Sequence, residues 1–167
     1  MADAEVERVR TAYAAREGVA DRYDPRRPDQ VAIDAARRSA WGRWLLAHDH
    51  PLGPTLEVGC GSGAVLRWAR EVGGGPVVGV DLIEDRLAEL RAVDPTVDAA
   101  LGDGRRLPFA PASFDTVLCS TLFSSILDDD LAVAVAAEIE RVVKLTGVVL
   151  WFDFAVDNPR NPDVRGI

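Results

Sequence analysis

Between Thr55 and Phe154 the sequence alternates short apolar runs with longer segments of helical periodicity, and nothing else restricts the fold as much. The apolar runs are "TLEVG", "PVVGVD", "VDAALGD", "FDTVLCS" and "GVVLWFDF". Among the segments between them are "SGAVLRWAREV", with Val65, Trp68, Ala69 and Val72 on one face, and "EDRLAELRAV". A third, "DDDLAVAVAAEIERVVK", turns Leu131, Val135, Ile139 and Val142 inward and opens on acids suited to the positive end of a helix. Strands that are apolar throughout are buried on both faces, and helical crossovers between them make the sheet parallel. The expectation is an α/β fold, a doubly wound, mostly parallel sheet of about five strands.

The residues before Thr55 read as a helical cap over residues 1–50. One helix is expected over residues 4–19, until two prolines in "DRYDPRRPD" break the pattern. From Gln30 a second carries Ile33, Ala36, Ala40, Trp41, Trp44 and Leu45 as an apolar stripe, and "DHPLGP" ends it. There is no internal repeat or low-complexity linker, so the 167 residues form a single domain: cap, core over 55–154 and tail over 155–167.

A hydrophobic content of 48% with 28% charged residues describes a soluble globular chain. No apolar run is long enough to span a bilayer, and "MADAEVERVR" is not a secretory signal, so a cytoplasmic location is expected. The net charge of −8 argues against nucleic acid and against an anionic membrane surface as partners. Cys60 and Cys119 make neither a disulfide framework nor a metal site.

The chemistry is concentrated around "LEVGCGSG", where the first strand meets its helix. In a doubly wound sheet this end of the strands holds ligands. Glycine lets a ligand approach the backbone, and the following helix offers free N–H groups. On its own the loop also satisfies the dinucleotide pattern G-x-G-x-x-A, with Asp81 about twenty residues on, so a nicotinamide cofactor stays open. Three acids weigh against it. Glu57 sits inside the first strand, where a carboxylate needs a cationic or hydrogen-bonding partner. Asp81 ends the second strand and Asp103, in "LGDGRRLPF", ends the third. Such a set suits an adenosine ligand carrying an ammonium group better than a pyrophosphate. Asp81 and Asp103 also fit plain turn or N-cap roles, and Leu82 a core role.

Taken together, "LEVGCGSGAVL", "VVGVDLIEDRL", "GDGRRLPF", "FDTVLCSTLFSSI" and "RVVKLTGVVLWFDF" resemble the class I S-adenosylmethionine-dependent methyltransferases, in order and spacing, across Thr55 to Phe154. The branch implied is the one acting on small molecules. The resemblance implies a Rossmann-like methyltransferase sheet in the order 3-2-1-4-5, with S-adenosyl-L-methionine as cofactor and S-adenosyl-L-homocysteine as product. It implies that Glu57 and the backbone at Gly59, Cys60 and Gly61 hold the methionine end. Asp81 takes the ribose hydroxyls, Leu82 packs on the adenine, and Asp103, between Gly102 and Gly104, accepts from its amino group. Cys119 and Ser120 line the methyl-donor side.

The sequence departs from that pattern in three places. The family's K-P-G-G turn before the fifth strand reads "KLTG", with Leu145 and Thr146 in place of proline and glycine. The histidine that many relatives carry after the fourth strand is missing from "TLFSSILDDD", and His48 and His50 precede the first strand, at the far end of the sheet. Asp128, Tyr13, Arg22 and Tyr23 are weighed as groups near an acceptor, but capping and packing explain them as well, and no catalytic base is assigned. Finally, the usual antiparallel strand pair after the fifth strand has no counterpart before Ile167. "VVLWF" is then an open apolar edge, which the tail covers, another chain pairs with, or a longer gene product completes; the last is favoured, with self-association as its consequence. The expected function is methyl transfer to an oxygen, nitrogen or carbon of a small molecule. The alternatives are a nicotinamide-dependent oxidoreductase and a non-catalytic methyltransferase-like domain that binds cofactor or partner.

Overall fold

The structure is a computed structural model that describes residues 2–17, 26–73 and 75–167. Helix α1 (Ala2–Glu17) and helix α2 (Pro28–Ala47) form the cap; Arg22 and Tyr23 lie outside the described residues. Pro28 at the first turn of α2 costs no hydrogen bond, because that N–H has no intrahelical partner. The buried face of α2 differs from the expected stripe. Arg37, Trp41 and Leu45, spaced four apart, point inward, while Ala36 and Ala40 are exposed. Large side chains, not the alanines, define the face. Trp41 meets Trp68 with ring centroids 5.7 Å apart and joins the cap to the core, whereas Trp44 stacks on His48 at 4.3 Å.

Strands β1 (Thr55–Val58), β2 (Val77–Asp81), β3 (Asp98–Leu101), β4 (Phe114–Ser120) and β5 (Val143–Phe152) form one sheet. The order is β3-β2-β1-β4-β5, as the resemblance implies, and every pairing is parallel, as the alternation predicts. Helices α3 (Ala64–Glu71), α4 (Glu84–Val93) and α5 (Asp129–Val142) cover its faces. Two apolar cores result. Trp41, Leu66, Trp68, Leu87 and Leu90 fill one side. On the other, Leu56, Val58 and Val117 meet Leu131, Val135 and Ile139 of α5. Leu131, Val135, Ile139 and Val142 are all buried as expected. Val72 is not, because α3 ends at Glu71 and leaves it at the exposed C-terminal cap.

β5 starts directly where α5 stops, so "KLTG" is not a free turn. The pairing jumps from Phe114–Val143 to Thr116–Val148, and the intervening residues bulge out of the ladder. Lys144 Nζ anchors the bulge on both carboxylate oxygens of Asp115, at 2.9 Å each. Among the described residues β5 pairs only with β4. The tail folds back beside it: Arg165 N donates to Ser124 O (2.9 Å), its guanidinium to Asp129 (2.6 Å), and Ile167 N to Phe154 O (2.8 Å). Ile167 reaches an apolar groove between α5 and β5, yet Val149 and Trp151 stay 43% and 51% exposed, so the tail covers only part of that face. Among the described residues no helix is long and apolar enough to cross a membrane.

Candidate functional site

All parallel strands end on one side, and their ends open into a cavity of about 350 Å³. It runs from the end of β3, past β2 and β1, to the end of β4, roofed by Val6, Val9 and Tyr13 of α1 and Arg37 of α2.

The glycine loop forms the floor. Gly59, Gly61 and Gly63 have φ of +75°, +49° and +77°, backbone that L side chains rarely adopt. Gly59 N and Cys60 N donate to Val80 O (2.8 and 3.1 Å), which ties the loop to β2. A side chain added at Gly61 would meet nothing within 4 Å, so this stretch of backbone is open to a ligand.

Asp81 controls the loop from the end of β2. Its Oδ2 accepts from Gly61 N (2.7 Å) and its Oδ1 from Ile83 N (2.9 Å). Burial raises its pKa against those two donors. An ionised carboxylate carries about four acceptor sites, so each oxygen keeps room for a hydroxyl.

Glu57 is 2% exposed, and its Oε2 has no hydrogen-bond partner. Desolvation pushes its carboxyl well above the usual range; Arg37 pulls the other way and Asp81 adds to the rise. A buried, unpartnered carboxylate oxygen at a cavity wall is costly unless a cationic group meets it there. Arg37 stands nearby at 8% exposure, donating Nη1 to Ser120 Oγ (2.8 Å) and Nη2 to Asp34.

Asp103 closes the β3 end. Its Oδ1 accepts from Arg105 N (2.9 Å) and its Oδ2 from Arg105 Nη2 (2.6 Å), while Arg105 Nη1 reaches Asp3 of the cap (2.9 Å). Burial would raise this carboxyl, but the Arg105 guanidinium outweighs it and holds it below the usual value. Asp103 therefore does serve a turn, as its alternative reading has it, while also lining the cavity.

A family model described as "Methyltransferase domain" matches residues 56–151. The chain belongs to the class I S-adenosylmethionine-dependent methyltransferases. An arginine-hydroxylase, NDUFAF5, of mouse mitochondria is 30% identical over 156 residues, covering 93% of this chain and 42% of that protein. Ribosomal protein L11 methyltransferase of Ralstonia pickettii is 35% identical over 71 residues, covering 36% of this chain and 24% of that one. The chain thus spans less than half the length of these curated relatives. A solved S-adenosylmethionine-dependent methyltransferase of Clostridium acetobutylicum shares the fold, with a TM-score of 0.68, 17% identity, and coverage of 82% of this chain and 56% of that one.

Of the site residues expected for a methyltransferase, Glu57, Gly59, Cys60, Gly61, Asp81, Leu82, Gly102, Asp103, Gly104 and Ser120 all line this one cavity. Cys119 does not. It is fully buried among Leu56, Val58 and Val117, because alternate residues of β4 face opposite sides and Ser120 takes the cavity side. Burial pushes both cysteine thiols up, so neither is a ready nucleophile. His48 and His50 do not line the cavity, and Asp128 caps α5 by accepting from Leu131 N (2.8 Å). Tyr13 does reach the cavity, with its hydroxyl 3.3 Å from Ser125 Oγ. Sequence reasoning missed Arg37. The signal was its place one turn before Trp41, a charge on the buried face of α2.

Proposed function

We propose that this methyltransferase domain binds S-adenosyl-L-methionine and transfers its methyl group to an oxygen, nitrogen or carbon of a small molecule, releasing S-adenosyl-L-homocysteine. The observation that carries the reading is Glu57, whose buried Oε2 lacks a partner in a cavity that also holds Asp81 and Asp103. An ammonium group satisfies Glu57, two vicinal hydroxyls satisfy Asp81, and an exocyclic amine donates to Asp103, whose carboxylate keeps acceptor capacity beside Arg105. Leu82 and Ile83 offer apolar packing for a purine, and Gly102 and Gly104 let it lie close. When bound, the cofactor supplies an electrophilic methyl group on sulfonium.

The chain's own contribution is positioning. The loop from Gly59 to Gly63 and the three acids fix one reactant, the cap helix α1 excludes water, and Ser120 and Thr121 flank the space left for an acceptor. In-line approach within such a site supplies much of the acceleration. The acceptor's proton leaves whichever atom is methylated, a positioned base matters mainly for a hydroxyl acceptor, and no residue is assigned to that role. The same reading has the exposed Val149 and Trp151 of β5 drive self-association. A strictly monomeric mass at micromolar concentration in native mass spectrometry would remove that part.

Calorimetric titration with S-adenosylhomocysteine and, separately, NADH tests the cofactor. Binding of the first alone is expected. Binding of NADH alone would establish the oxidoreductase reading instead. Binding of S-adenosylhomocysteine without turnover across acceptor classes would favour a non-catalytic domain.

A further inference from the structure

Beyond its bulge, β5 runs regularly from Val148 to Phe152 against Thr116–Ser120 of β4. Phe152 O accepts from Thr121 N, so Phe152, Leu150 and Val148 turn their backbone groups toward β4. Those of Val149 and Trp151 point outward, and among the described residues no backbone bond reaches them from outside the sheet. The tail's backbone bond on this side falls past the regular stretch, from Ile167 N to Phe154 O.

The usual protections of a sheet edge are missing here. From Leu145 to Phe152 there is no charged residue and no proline, in a chain of net charge −8. Two copies that repel each other elsewhere meet no repulsion along this strand. The side chains of Val149 and Trp151 border an apolar groove of about 540 Å³ against α5. Trp151 is already held in place, its ring edge-on to Phe123 at 5.8 Å and its Nε1 donating to Asp153 (3.0 Å).

The groove carries opposite charges at its two ends. Glu140, near the end of α5, lies where β5 begins. Arg165, bonded to Asp129 at the start of α5, lies where β5 finishes. A copy related by a two-fold axis runs antiparallel and brings each Arg165 end to a Glu140 end, so the surface is complementary to itself.

We propose that a second copy of the chain occupies this edge, pairing β5 with β5 antiparallel about a two-fold axis at Leu150. Trp151 then stands opposite the partner's Val149, twice by symmetry, as an aromatic–β-branched pair. An axis nearer the start of β5 would draw the bulged Lys144–Gly147 into the ladder, and one nearer its end would meet the tail at Phe154. This pairing deepens the self-association proposed above, on which it rests, and is independent of the cofactor.

Sedimentation velocity and hydrogen exchange on the full chain, each across protein concentration, test it. The contact is small, so sedimentation should pass from monomer to dimer between roughly 1 and 100 μM. Over the same range the Val149 and Trp151 amides, followed by NMR, should gain protection by about tenfold or more. Trp151→Lys should stay monomeric. Glu140→Arg, at an exposed site, should weaken the dimer roughly 3- to 30-fold by removing two exposed ion pairs. A dimer whose two amides stay unprotected would overturn the strand pairing and leave self-association standing. Protection already present in the monomer would mean that the tail covers the edge, which also overturns it. A monomer with unprotected amides at every concentration would overturn both proposals and leave the edge to a different peptide. Open-ended polymers, or a Glu140→Arg dimer as tight as wild type, would overturn the two-fold arrangement. A dimeric Trp151→Lys would do the same, and if that variant does not fold the wild-type measurements decide.

Discussion

Asp81 Oδ2 accepts the Gly61 N–H at 2.7 Å, so the acid that ends β2 also fixes the turn that ends β1. Two adjacent parallel strands are thereby locked together at the end where the cavity opens. Asp81→Ala should weaken S-adenosylhomocysteine by ~1–3 kcal/mol, the range for hydrogen bonds to a buried charged acceptor. Isothermal titration measures this directly, and unchanged affinity would take Asp81 out of the site.

Gly79, in the middle of β2, is a packing requirement and not a turn. A Cβ there would lie 2.6 Å from Cys60 Sγ and 2.7 Å from Leu66 Cδ1, both on buried side chains. Gly79→Ala should cost ~1–3 kcal/mol by overpacking, read as a lower urea midpoint with the slope unchanged. An unaltered midpoint would mean that the loop and α3 yield more easily than their burial suggests.

Most of the sheet was legible because the central strands and α5 bury whole faces, and periodicity reports burial. Leu131, Val135, Ile139 and Val142 show this well. Legibility failed where a contact spans the chain. Arg37 meets Ser120 across 83 residues, and no local pattern links them. The order of faces in β4 also escaped a reading by motif, since "CS" at its end names two residues of which only Ser120 faces the cavity. The bulge of Lys144 to Gly147 depends on Asp115, again a partner from another strand.

The cap is docked by Glu5, whose Oε1 accepts from Leu127 N (2.7 Å) while Arg8 spans Glu5 and Ser125 O. The Arg8 hydrogen bond is the largest cause holding this carboxyl below its ordinary value, with burial opposing it. Its contribution is therefore fully present above the ordinary glutamate value near 4.5 and is lost as pH falls through the lowered native value. Hydrogen-exchange protection in α1, corrected for the intrinsic pH dependence of amide exchange, should fall over that acidic window in wild type. In Glu5→Gln, α1 should exchange faster at neutral pH and lose most of the acid dependence. Equal exchange in both proteins would show that apolar contacts alone hold the cap.

Glu57 gives the opposite sign. Burial raises its native pKa well above the ordinary value near 4.5, so the native state holds the proton more tightly than the unfolded chain does. Unliganded stability from this group is greatest below the ordinary value and falls as pH rises toward the raised native one. The neutral isostere in Glu57→Gln should flatten part of that fall, with the remainder left to Asp81, whose pKa is raised in the same direction. The variant should then be more stable than wild type at neutral pH and similar at ~pH 4, below the ordinary glutamate range. A ligand ammonium favours the ionised carboxylate, so binding should expel the proton. The heat of S-adenosylhomocysteine binding should therefore depend on the ionisation enthalpy of the buffer in wild type and much less in Glu57→Gln. Wild-type stability that rises across this window, or heats independent of buffer, would place Glu57 outside the ammonium site.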